Sequence, residues 1–103
     1  MNELTLYGRL TRDPELTYTS KGIALLKATI AVDHGKDITN FIPITAFDKT
    51  AEIMANGLHK GHRILVKAHL QSGSYDKNGK KVFKLDVIVD RFTFVETKKD
   101  LNK

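Results

Sequence analysis

Hydrophobic and polar positions alternate along most of this chain, and the alternation breaks in one place. In residues 3–10, Leu4, Leu6 and Gly8 fall on one side, with the two-residue period of a strand. Thr11-Arg-Asp-Pro14 interrupts it, since Pro14 disfavours helix at Asp13. Residues 15–20 form a short extended piece, and Ser20-Lys-Gly22 predicts a turn. Residues 23–32 read as a second long strand, rich in aliphatic and β-branched side chains. Asp33-His-Gly-Lys-Asp37 is a tight reversal centred on Gly35, and residues 38–47 form a third strand. There the period changes. Ala51, Met54, Ala55 and Leu58 recur at helical spacing, with Asp48 as the expected N-cap and Lys60-Gly61 as the expected stop. Residues 62–75 return to period two, with Ile64, Val66, Ala68 and Leu70 inward. Asn78-Gly79 is a hairpin turn signal. In residues 81–95, Phe83, Leu85, Val87 and Val89 share a face.

The predicted order is β-β-β-α-β-β, an all-β chain with one short helix. Five long strands are too many for a flat sheet over one helix, and closing them removes the exposed edges. A five-stranded barrel of this order is the OB-fold, whose sheet face and loops bind oligonucleotides or oligosaccharides. At 103 residues the chain makes one domain. Residues 1–96 are expected to form it, with 97–103 as a polar, disordered tail.

The third strand supplies the first functional signal. Ile42, Ile44 and Ala46 take the core face, which leaves Phe41, Pro43, Thr45 and Phe47 on the other. Two rings roughly 20 Å apart, at about 3.3 Å per residue, then point outward and suit stacking on flat ligands such as nucleic-acid bases. The competing reading is an oligomer interface. Phe83, Phe92 and Phe94 read as core or interface, and Tyr7 and Tyr18 as structural.

Charge points the same way. The net charge is +5, and it is uneven: residues 1–60 hold seven basic and seven acidic side chains, residues 61–103 ten and five. A basic half favours a polyanionic partner. Lys77, Lys80, Lys81 and Lys84 crowd the predicted hairpin and could track a phosphate backbone, where the bland alternative is simple solvation. With no cysteine there is no disulfide, thiolate metal site or cysteine nucleophile. His59, His62 and His69 lack the further defined ligands that zinc needs, so neither metal nor cofactor is expected. No Gly-rich phosphate loop, metalloprotease motif or paired carboxylates argue for an enzyme. The first residues do not read as a signal peptide, and no segment has the apolar length of a membrane span. A cytoplasmic protein is expected.

Several motifs, in order, carry a resemblance. Leu6-Tyr-Gly-Arg-Leu-Thr-Arg-Asp-Pro-Glu-Leu-Thr-Tyr-Thr-Ser-Lys-Gly22 resembles the opening of bacterial and phage single-stranded DNA-binding proteins. Phe47-Asp-Lys-Thr-Ala-Glu52 with Leu58-His-Lys-Gly61 resembles their strand-to-helix passage. Leu70-Gln-Ser-Gly-Ser-Tyr75 with Asn78-Gly79 resembles their fourth strand and hairpin. The resemblance implies single-stranded DNA as partner, protection of that strand in replication, recombination or repair, and a homotetramer, with a dimer as the smaller alternative. It implies base stacking at Phe41, Phe47 and Tyr75. It implies phosphate contacts at Lys49 and Lys60 and at Lys36, which stands nearest the place of a missing loop aromatic. Arg12, Lys67 and the hairpin lysines complete the expected phosphate set.

The chain departs from that pattern in four ways. It has no tryptophan, its loop between the second and third strands is short, and Gln71-Ser-Gly-Ser74 replaces an arginine-rich run. It ends Lys98-Lys-Asp-Leu-Asn-Lys103, without the linker and acidic tip through which the family recruits replication or recombination proteins. A short OB-fold adaptor of the primosomal protein B kind, working through protein contacts, is the second reading; a small nuclease is the third.

Overall fold

A computed structural model describes residues 1–95; the expected tail at 97–103 lies outside the described residues. The order is β1 (Leu4–Leu10), β2 (Glu15–Tyr18), β3 (Ala24–His34), β4 (Ile38–Phe47), α1 (Asp48–Gly57), β5 (Arg63–Lys77) and β6 (Lys80–Val95). The neighbours run β1-β5-β6-β4-β3-β2, and β1 also pairs with β3. That last pairing closes β1, β5, β6, β4 and β3 into a ring. The expected five-stranded OB-type barrel is therefore present. The short extended piece is a strand after all, β2, appended antiparallel to β3 outside the ring.

Closure is narrow at two seams. β1 meets β3 only at Arg9↔Ala31 and Leu10↔Ile30. Parallel β4 and β6 meet at Thr45↔Ile88. Gly8 is what lets β1 come so close: a Cβ there would run into the Ala31 carbonyl. Pro43 lies in the part of β4 that pairs with β3 alone, so its missing N–H leaves the β4–β6 seam intact.

Leu10, Leu26, Ile30, Ile44, Met54, Ile64 and Val66 fill the barrel and are fully buried, each worth about 1.5–3 kcal/mol of transfer free energy. Among the described residues every buried side chain is apolar. α1 plugs one end with Ala51 and Met54, and no described helix is long and apolar enough to cross a membrane.

Several boundaries differ from expectation. Asp48 is not a cap. It is the first helical residue, with φ 56, and Phe47 precedes the helix with no side-chain cap bond. The left-handed backbone turns the chain sharply from strand to helix and takes the Asp48 side chain out of capping position. The helix stops at Gly57, before Lys60-Gly61, and the Leu58 N–H closes it onto the Met54 carbonyl.

The β5–β6 pairing contains a bulge. Register shifts between Lys67↔Arg91 and Ala68↔Val89, so Asp90 is the extra residue, while Gly73↔Lys84 is regular. Leu70, Phe83 and Leu85 do share the core-facing side with Val87 and Val89. Their stretch of hairpin, however, extends past the barrel end, and all three are exposed. Phe83 is 77% exposed and so is not core. Phe92 packs against the core, and Phe94 sits at its edge with its ring 5.0 Å from that of His62. Tyr7 and Tyr18 are also exposed.

Candidate nucleic-acid interface

The outer face of β3 and β4 follows from strand parity. Cross-strand pairs Leu25↔Phe47, Lys27↔Thr45, Thr29↔Pro43 and Ala31↔Phe41 all lie on it. On β5 and β6 the corresponding outer pairs are Gln71↔Asp86, Gly73↔Lys84 and Tyr75↔Val82. The two surfaces meet where Thr45 lies beside Ile88. There they enclose a groove of about 200 Å³ lined by Leu25, Lys27, Thr45, Phe47, Gln71, Lys84, Asp86 and Ile88. Lys27, Thr45 and Asp86 also line a second hollow of about 320 Å³ that runs on to Arg12, Thr29 and Pro43.

Phe41, Phe47 and Tyr75 are 64%, 39% and 50% exposed. Phe47 is in the groove wall. Phe41 lies further along the same face of β4, beyond Pro43, and Tyr75 further along β5, beyond Gly73. With no bulge at Gly73, Tyr75 keeps the face it shares with Gln71 and the groove. The three rings thus form one surface that begins in the groove and continues along two projecting hairpins.

The cations spread around it. Lys84 lines the groove itself and Arg12 the adjoining hollow. Lys77 and Lys80 face each other beside the Asn78-Gly79 turn, and Lys81 opposes Asp76. Asn78 and Gly79 both have left-handed backbones (φ 53 and 77), as a two-residue hairpin turn of this hand requires. Lys36 is exposed in the β3–β4 reversal, and Lys49 is exposed in the first turn of α1, two residues after Phe47. The Lys60 N–H donates to Asp13 Oδ1 at 2.8 Å, tying the loop after α1 to the loop that carries Arg12. Lys67 stands apart. It sits on the outer face of β5 between Thr5 of β1 and Arg91 of β6, away from the groove. Of these cations only Lys84 has a carboxylate within 4.0 Å among the described residues, Asp86 at 3.5 Å.

Lys27 and Asp86 are groove residues that the sequence reading left out. The signal for Lys27 was present: it alternates with Leu25 and Thr29 on the outward side of a strand whose other side is apolar from Ala24 to Val32. No group of three or more metal-ligating side chains occurs among the described residues.

Known proteins share this chain's sequence over the whole barrel. The profile of the Single-strand binding protein family aligns with residues 1–95. The chain belongs to that family. A single-stranded DNA-binding protein of Clostridium perfringens is 38% identical over 101 residues, covering 94% of this chain and 67% of the relative. One from Fusobacterium nucleatum subsp. nucleatum is 40% identical over 106 residues, covering 95% and 69%. Single-stranded DNA-binding protein 2 of Clostridium acetobutylicum is 39% identical over 109 residues, covering 99% and 82%. Family membership extends over both hairpins and both groove walls, so all of the stacking candidates lie in the matched region.

Proposed function

We propose that this protein binds single-stranded DNA with little sequence preference and holds it unpaired during replication, recombination or repair. The observation that carries the reading is the exposed Phe47 ring in a groove with Lys27 and Lys84, continued by Phe41 and Tyr75 on the same face. Bases stack on the rings, each worth about 1–3 kcal/mol, while Arg12, Lys27, Lys84 and the hairpin lysines meet phosphates and release counterions. A duplex hides its base faces, so single strands are favoured. The mechanism is non-catalytic and works as a homo-oligomer, with a tetramer favoured over a dimer.

A salt titration tests it. With about six phosphates neutralised, one for each of those cations, log K for a single-stranded oligonucleotide falls with log salt at a slope of about −4. Affinity that is flat with salt, or equal for single and double strands, would remove the reading. The exposed row Leu70, Phe83 and Leu85 is the one observation favouring the adaptor alternative. A chain that retains protein partners at physiological salt but holds DNA only weakly would put that alternative first.

A further inference from the structure

The groove contains one residue that a surface for polyanions should avoid. Asp86 lines both hollows, at the point where they join. Its side chain is 37% exposed, and it is the cross-strand partner of Gln71. Lys84 Nζ stands 3.5 Å from Asp86 Oδ2, and no hydrogen bond from the described residues reaches either carboxylate oxygen. Gly73 helps to set this geometry. The Lys84 stem lies across it, and a Cβ on Gly73 would sit 3.1 Å from Lys84 Cε. If the groove only collected phosphates, the carboxylate would oppose every one that approached it. A carboxylate is also an acceptor-only group with two oxygens, so its natural partner on a nucleic acid is a base edge that donates.

We propose that Asp86 reads base edges in this groove and favours bases with an exocyclic amino group over thymine. The inference rests on the single-strand reading above. A base stacked against Phe47 lies in the same hollow as Asp86. Cytosine offers its N4 amine there, a recognised partner of aspartate, and adenine its N6 amine. Guanine offers two neighbouring donors, N1–H and the N2 amine. Thymine offers a single N3–H between two carbonyl oxygens, and both oxygens face the carboxylate unfavourably. Gln71 beside Asp86 carries both a donor and an acceptor and can serve whichever atom adjoins the amine. The preference acts at one nucleotide of the bound strand, so binding over a long strand stays nearly independent of sequence.

The test compares oligo(dC) with oligo(dT) of equal length by fluorescence anisotropy, using the full chain. Asp86→Ala is expected to lower the dC:dT affinity ratio about fivefold, the worth of one net hydrogen bond, while affinity for dT holds or rises as the negative charge goes. A ratio that stays constant while both affinities rise together would overturn the proposal and leave Asp86 as a uniform electrostatic brake. A ligand-side measurement needs no variant. Replacing the cytosines by N4,N4-dimethylcytosine removes the amine protons and should cost the unaltered protein a similar factor; equal affinity would overturn the proposal. No binding to either homopolymer would overturn the single-strand reading itself, a result distinct from binding with an unmoved ratio.

Discussion

Phe47→Ala is expected to weaken oligo(dT) binding by about 1–3 kcal/mol, roughly five- to 150-fold, and Phe41→Ala by a similar amount. Both rings project from the outer face of β4, while Ile44 and Ala46 of the same strand enter the core. Removing either ring therefore deletes ligand contact and leaves the barrel filled. Phe41, with 64% of its surface exposed, has little packing to lose, so its variant should melt within a degree or two of the unaltered chain. Phe47 is more enclosed and directly precedes α1, so a modest stability cost accompanies its loss of affinity. Titration of labelled oligo(dT) at fixed salt, alongside thermal unfolding, reads both effects. A folded double variant with undiminished affinity would mean that these rings meet another subunit and not bases.

Gly8→Ala is expected to destabilise the barrel by about 1–3 kcal/mol, the usual cost of forcing an extra methyl into a packed site. The seam between β1 and β3 is only two residue pairs long and lies next to Gly8. The atom in the way is the Ala31 backbone carbonyl, with Ile30 Cγ1 3.0 Å away. A flexible side chain could swing aside; the backbone of a strand already paired to β4 cannot do so without opening the ring. For a domain of this size each kcal/mol lowers the melting temperature by about 4–8 °C. Thermal or urea unfolding decides it, and an unchanged midpoint would show that the seam yields without cost.

The sequence carried the barrel because most of its strands are half-buried, and half-burial writes a two-residue period into the chain. Residues 38–47 show this most clearly: the parity that assigned Ile44 and Ala46 inward also assigned Phe41 and Phe47 outward, and both faces are as read. The pattern misled where a strand outruns the core. Leu85 and Phe83 keep the core-side parity with nothing left to pack against, and alternation alone does not record where the barrel ends. The bulge left no such mark: glycine often accompanies one, but here the extra residue is an aspartate engaged by His69 Nδ1 at 2.9 Å. The groove was only half legible. Its aromatic wall lies on one strand, but Asp86 and Lys27 come together only through the single seam at Thr45↔Ile88, a pairing of distant segments that no local pattern announces.

The bulge at Asp90 divides β6 into two lengths of opposite phase. Before it, odd-numbered residues such as Val87 and Val89 turn to the core side and even-numbered Lys84 and Asp86 turn to the groove. After it, Phe92 turns inward and Arg91 and Thr93 turn out. One strand thus carries two independent alphabets, one written for the ligand-bearing hairpin and one for the barrel wall, with Asp90 as the comma between them. Substitutions on the hairpin side can retune what the groove accepts without rewriting the core, whereas losing or gaining one residue between Lys80 and Asp90 shifts the phase and exchanges the two faces.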